Sequence, residues 1–202
     1  MPGGSEKRGA CALQQGRLHV VPVCHDRMEF AHAVRRAVLS IRPAAVAVEL
    51  HDELRERYLE AVRRLPFLSY IEQHPEGDEA PLLVNIEPTD PFVEAVRTAL
   101  DAAIPVHFVD LNVQAYPAVY EPMPDSYALR HIGVVPYFEE YDKAASIPPH
   151  PLDEARERHM AARLRQLLEQ FAGLWEANRR YNHARAIYGD LRDPAGCARV
   201  AM

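Results

Sequence analysis

Four apolar, strand-like runs of this chain each stop at an ionisable residue: Leu18–Cys24 at His25, Ala45–Val48 at Glu49, Leu82–Ile86 at Glu87, and Val106–Val109 at Asp110. Between them lie segments with apolar residues at helical spacing: Phe30, Val34, Ala37, Val38, Ile41; Leu54, Tyr58, Ala61, Val62, Leu65; and Phe92, Val96, Ala99, Leu100, Ala103. Spacing of this kind puts one apolar stripe on each helix, and a helix with one stripe covers a sheet. Strand, short turn and helix in repetition constrain the chain to an α/β fold: a mostly parallel central sheet with flanking helices. In such a sheet the strands deliver their C-terminal ends to one edge, so residues far apart in sequence converge there.

The spacing predicts strands over 17–24, 44–50, 82–87 and 105–111, helices over 27–41, 52–65 and 91–103, and a four-stranded parallel core. Asp26 with Glu29 three residues later reads as a capping box, and Asp90 before Pro91 as an N-cap and N1 pair. The polar stretch from Leu65 to Pro81 reads as a helix turn and a loop overhanging the cleft. After Asp110 the strand pattern stops. Tyr127–Ile132, Tyr137–Ala145 and the long amphipathic segment Asp153–Arg180 make the C-terminal half helical. Residues 1–16 read as disordered or loosely docked, and 17–202 as a single domain.

Composition narrows the class of function. A net charge of −6 over 202 residues, with basic residues interleaved with acidic ones as in Glu53–Arg57 and Arg156–Arg165, provides no basic stripe for nucleic acid. No apolar run is long enough to cross a membrane, and no signal-peptide core precedes the fold, so the expected location is the cytoplasm. Cys11, Cys24 and Cys197 are odd in number and lack CxxC spacing, which fits reduced thiols. HExxH, Walker, GxSxG and GxGxxG motifs are all missing, which disfavours zincins, P-loop NTPases, nucleophile-elbow hydrolases and nicotinamide enzymes.

His25 precedes a helix N-terminus, whose positive end is expected to lower its pKa and favour the neutral imidazole that binds metal or acts as a base. A surface-turn histidine is the alternative. Glu49 closes an apolar strand, where a carboxylate is costly unless paired, protonated or bound to a cation. Glu87 stands in a turn set by Pro88 and Pro91, with Asp90 beside it read as a cap; Asp110 reads either as a site residue or as a turn aspartate bonded to backbone amides. Arg156 and Glu157 are adjacent on the long helix, and spacing alone gives them to solvent. His19 and His107, inside strands, read as satisfied structural histidines. A histidine with carboxylates suits a divalent ion such as Mn²⁺, Fe²⁺ or Zn²⁺, with His25 and Glu49 as the metal ligands.

Taken in order, the strand ending at His25, Val46–Leu50, Ile104–Asp110 and Arg156–Ala161 resemble the TraB (pheromone-shutdown) family, which belongs with the TIKI proteases, the erythromycin esterases and the haem-binding ChaN lipoproteins. Longer uncharacterised bacterial proteins carrying Glu87–Pro91 and Pro124–Leu129 are also similar. The resemblance runs from about Arg17 to Leu168. It implies an α/β core with a site at the strand ends built from His25 and Glu49, with Asp110, Arg156 and Glu157 nearby. It also implies hydrolytic chemistry: TIKI-like members are metal-dependent peptidases and erythromycin esterases open a lactone, while TraB-like members have no settled chemistry. Two departures stand out. Pro22 replaces a glycine three residues before His25, and no strand ending in a Gly-x-x-His-like turn follows the long helix, where Gly173-Leu174-Trp175-Glu176 stands instead.

The expected activity is metal-assisted hydrolysis of an amide or ester in a small molecule or peptide. Glu87 or Asp110 would complete the shell, and Arg156 would meet an anionic group or developing oxyanion. The alternatives are a non-catalytic small-molecule or partner-binding member of the same fold and a fragment of a larger protein. Neither nucleic acid nor membrane is an expected partner, and homo-oligomerisation is open. Bound metal shared by His25 and Glu49 would favour the enzyme; carboxylates neutralised by arginines would favour the binding module.

Overall fold

The computed structural model describes residues 13–15, 17–74, 81–113, 123–144 and 151–171. The elements are β1 (Leu13–Gln15), β2 (Leu18–Val20), α1 (Met28–Ile41), β3 (Val46–His51), α2 (Arg55–Arg63), β4 (Ser69–Gln73), β5 (Leu82–Ile86), α3 (Pro91–Asp101), β6 (Val106–Asp110), α4 (Leu129–Ile132), α5 (Val134–Ala144) and α6 (Pro151–Gln170). This is an α/β fold with a small parallel sheet and a helical C-terminal half.

The parallel sheet is the pair β3–β6, with Val46 opposite Val106 and Val48 opposite Phe108. Side chains alternate between its faces, and both faces are covered. Val46, Val48, Val106 and Phe108 enter a core with Phe30, Val34 and Val38 of α1 and Val93 and Val96 of α3. Ala47 and Val109 pack on the other side against Met160, Ala161, Leu164 and Leu167 of α6. Burial on two faces is why these strands read as largely apolar runs. Each such Val, Leu or Phe contributes roughly 1.5–3 kcal/mol when fully buried.

The four-stranded parallel core predicted above is a parallel pair plus two antiparallel pairs. Leu82–Ile86 forms a strand as predicted, but it pairs antiparallel with Ser69–Gln73, in the stretch read as a helix turn and loop. That segment hid its strand because only one of its faces is buried: Ile71 points inward, while Tyr70, Glu72 and Gln73 carry polar groups between and after it. At the N-terminus, Leu13–Gln15 pairs with Leu18–Val20, so three residues of the segment expected to be loose are in a strand. The ladder ends before Pro22, which has no N–H to give, although Val21, Val23 and Cys24 stay buried.

Helix starts divide in the same way. Asp90 caps α3 as expected, accepting from the N–H groups of Phe92 (2.8 Å) and Val93 (3.1 Å). The Asp26–Glu29 box does not form: α1 begins after Arg27, with no side-chain cap, and Asp26 takes a left-handed φ of 56°. Residues after Phe171, on which the expected incompleteness of the fold turned, lie outside the described residues, as do Cys11 and Cys197. Among the described residues no helix is long and apolar enough to cross a membrane.

Candidate functional site

Glu49 is carried near the end of β3 on the same face as Ala47, the face covered by α6. Asp110 is the last residue of β6. One turn inside the start of α6, Arg156 reaches back over both strand ends. Its Nε donates to both oxygens of Asp110 at 3.1 Å, and its Nη2 donates to Asp110 Oδ2 at 2.7 Å and to Glu49 Oε1 at 2.8 Å. Asp153, three residues earlier on the helix, lies 3.9 Å from Nη1. Side-chain exposure is 21% for Arg156, 23% for Glu49 and 10% for Asp110, so the pairing takes place largely out of water.

The expectation from spacing, that Arg156 points to solvent, is therefore overturned. Two desolvated carboxylates at the sheet end attract the guanidinium, whose planar fork satisfies several acceptors at once. Asp110 also makes the turn contact offered as its alternative, its Oδ1 accepting from the N–H of Leu111 at 2.8 Å. The carboxyl of Glu49 is pushed up to about 7. Burial does this against the pull of Arg156, and the negative charges of Asp110 and Glu157 add to it. Glu157 is thus within electrostatic reach of Glu49.

His25 sits at a separate point of the same edge. Its Nδ1 is 2.7 Å from Asp90 Oδ2, and its ring meets Phe92 edge-on at a centroid distance of 4.7 Å. Asp90 divides its two oxygens, one capping α3 and one holding His25. The expected lowering of the His25 pKa is reversed: the hydrogen bond that its ring donates to Asp90 raises it, against burial, with the charges of Asp90, Glu49 and Asp26 assisting. A full negative charge in contact outweighs the partial charge of a helix end. His25 and Glu49 interact through their charges.

Because an asparagine caps a helix as well as an aspartate, Asp90→Asn should leave thermal stability near neutral pH almost unchanged while the His25 pKa falls toward its ordinary value. Proton NMR titration of the imidazole reads this directly; an unmoved His25 pKa would show that the Asp90 charge does not govern it. The sign follows from linkage. A raised histidine pKa stabilises most below about 6.5, and the contribution is lost as pH rises through the folded-state value.

Glu87 is not joined to this cluster. Its carbonyl accepts from the N–H of Asp90 at 3.1 Å, and among the described residues its side chain has no hydrogen bond or ion pair. His107 is only half satisfied: it stacks edge-on with Phe171, and its buried Nε2 has no hydrogen-bond partner among the described residues. Its pKa is lowered, first by burial and then by Arg55 and Arg163. Sequence reasoning missed Asp90 as the partner of His25, because a capping role already accounted for it.

A pocket of about 300 Å³ opens beside Glu49. Val20, Ala45, Ala47, Met160 and Leu164 line a mainly apolar recess, to which Glu49, Arg17, His19 and Arg42 add polar groups.

The donor set expected for a divalent ion is taken up differently. Glu49 and Asp110 already share a guanidinium, and among the described residues no group of three or more His, Cys, Asp or Glu side chains is arranged to hold a metal ion. A cation entering between these carboxylates would meet the positive charge of Arg156. The residues present do not fit such an ion while Arg156 holds this position. Compared with known protein families, curated proteins and solved structures, the chain shows no match.

Proposed function

We propose that this chain is a binding module that takes its ligand into the recess beside Glu49, with the ion cluster at the strand ends serving as a fixed wall and not as a metal centre. The observation that carries this reading is the pairing of Arg156 with both Glu49 and Asp110, which neutralises the carboxylates without a bound cation. The recess supports it. A volume near 300 Å³ and mainly apolar walls with a few polar residues, Glu49, Arg17, His19 and Arg42, are the attributes of a site for a small ligand.

The test uses the anionic aromatic dye 1-anilinonaphthalene-8-sulfonate and the variants Ala47→Leu and Leu168→Trp, which add bulk at two residues that line the recess. Expected are saturable one-to-one dye binding by the native chain and at least about tenfold weaker binding by the variants (about 1.4 kcal/mol), with melting temperatures unchanged. Equal dye binding by all three would remove the recess from the function.

The second reading is a hydrolase of an amide or ester, metal-dependent as the TraB-like resemblance implies. A Glu49 carboxyl near 7, coupled through its charge to a histidine oriented by Asp90, favours it, since a carboxyl of that pKa can take up and release protons at neutral pH. Turnover of p-nitrophenyl acetate that rises with added Mn²⁺ or Zn²⁺ and is abolished in both His25→Ala and Glu49→Ala would overturn the binding reading in its favour.

A further inference from the structure

The two ends of the recess differ in charge. β3 runs along it from Ala45 to Glu49, a span of about 13 Å at the rise of an extended strand. α6 passes in the opposite direction: Arg156 near its start holds Glu49, and Met160, Leu164 and Leu168 then line the wall in turn. At the end far from Glu49 stands Arg17, whose guanidinium donates to Leu168 O at 2.8 Å and to Phe171 O at 3.1 Å. Arg42 lines that same end, where α1 gives way to β3. A recess of that length with a volume of about 300 Å³ is slender, and an extended chain fits it better than a compact molecule.

Charge sets the sign of the ligand. Among the described residues the Arg42 guanidinium has no hydrogen bond or ion pair. Glu49 already accepts from Arg156 Nη2 at 2.8 Å, so an ammonium group drawn to that end would meet a guanidinium. Burial lowers the pKa of His19, which leaves its imidazole uncharged near neutral pH. Arg42 also takes a left-handed φ of 50° at the C-cap of α1, a conformation that glycine or asparagine adopts at less cost. A charged side chain kept where the backbone is strained is a reason to look for a function there. The dipole of α1 favours a cation at the same place, and the experiment below separates the two roles. We infer that the recess receives a linear single-chain carboxylate of about eight to ten carbons, its head group on Arg42 and its chain extended along β3 toward Glu49. The inference rests on the binding reading above and names its ligand class. The planar fork of a guanidinium matches a carboxylate, and Val20, Ala47, Met160 and Leu164 supply the apolar wall that a hydrocarbon chain needs.

The probes are decanoate, decylamine and hexanoate, titrated by calorimetry at pH 7.5 into the native chain and into Arg42→Asn, Arg42→Lys and Ala47→Leu. Decanoate should bind one to one. It should bind at least about tenfold more tightly than decylamine, which has the same chain and the opposite charge, and at least about a hundredfold more tightly than hexanoate, whose chain is shorter by about four methylenes. Asparagine accepts the left-handed backbone and removes the charge. Arg42→Asn should therefore fold normally and lose at least about tenfold in decanoate affinity, with decylamine unchanged, while Arg42→Lys keeps most of the affinity. Ala47→Leu should weaken decanoate as it weakens the dye. A purely structural Arg42 at the helix end would leave decanoate binding as tight in Arg42→Asn as in the native chain, which would overturn the inference. Equal binding of decanoate and decylamine, decanoate binding unmoved by Ala47→Leu, or dye binding without decanoate binding would overturn it too, and in each case saturable dye binding in the recess would leave the binding reading standing. A native chain that binds neither decanoate nor the dye would remove both.

Discussion

Arg156→Ala is expected to cost about 3 kcal/mol of folding stability at neutral pH, because it leaves two largely desolvated carboxylates without their shared cation. The side chain joins α6 to the ends of β3 and β6 through four hydrogen bonds of 2.7–3.1 Å, all to carboxylate oxygens. What remains in the variant is Glu49 beside Asp110, with Glu157 adding a third negative charge. The loss should shrink in acid, where protonation relieves the repulsion. Urea unfolding at pH 7.5 and pH 5 measures both quantities. Arg156→Lys should recover only part of the loss, since an ammonium cannot reproduce the fork on Asp110 while reaching Glu49. A cost under about 0.5 kcal/mol, the range of an exposed surface pair, would mean that the cluster does not hold the helix to the sheet.

Glu49→Gln should change how stability depends on pH, and the sign is specific. A carboxyl at about 7 in the folded chain and near 4.5 when unfolded keeps its proton longer when folded. Between those values the folded state binds more protons, so wild-type stability contributed by this group falls as pH rises from 4.5 to 7 and is level above. The integrated loss is on the order of 3 kcal/mol. Glutamine does not titrate. The stability of the variant relative to wild type should therefore climb by that amount between pH 4.5 and pH 8, as read from paired urea titrations. A difference that stays constant with pH would show that Glu49 ionises near its ordinary value, and it would remove the acid–base argument for the hydrolytic reading as well.

Much of the frame was legible because its signals are local or double-sided. Val46–Val48 is buried from both sides and so carries an uninterrupted apolar run, Val106–Val109 is broken only by His107, and Phe30, Val34 and Val38 repeat at helical spacing over one buried face. Asp90 before Pro91 marked the start of α3 for the same local reason. Ser69–Gln73 was not legible, since a strand with one wet face mixes tyrosine, glutamate and glutamine into its pattern. Asp26 was misleading: aspartate tolerates the left-handed turn that it adopts before α1 as readily as it caps a helix.

The site divides along a similar line. That Asp110 ends its strand and Glu49 stands near the end of its own follows from the order of residues, and a parallel arrangement of those two strands brings them to one edge. Nothing in the local sequence around Arg156 says that it turns inward, because that depends on the electrostatic field of two carboxylates 46 and 107 residues away. The Asp90 contact that reverses the expected shift of His25 likewise spans 65 residues. By itself the sequence determined the α/β alternation, the two central strands, the helices that cover them and the carboxylates at their ends, all set by short-range periodicity and burial. Only the tertiary structure decided which charges neutralise one another, which strands pair antiparallel, and that one edge of β3 faces an open recess. Those outcomes depend on distances between elements, and residue order along a chain does not encode them locally.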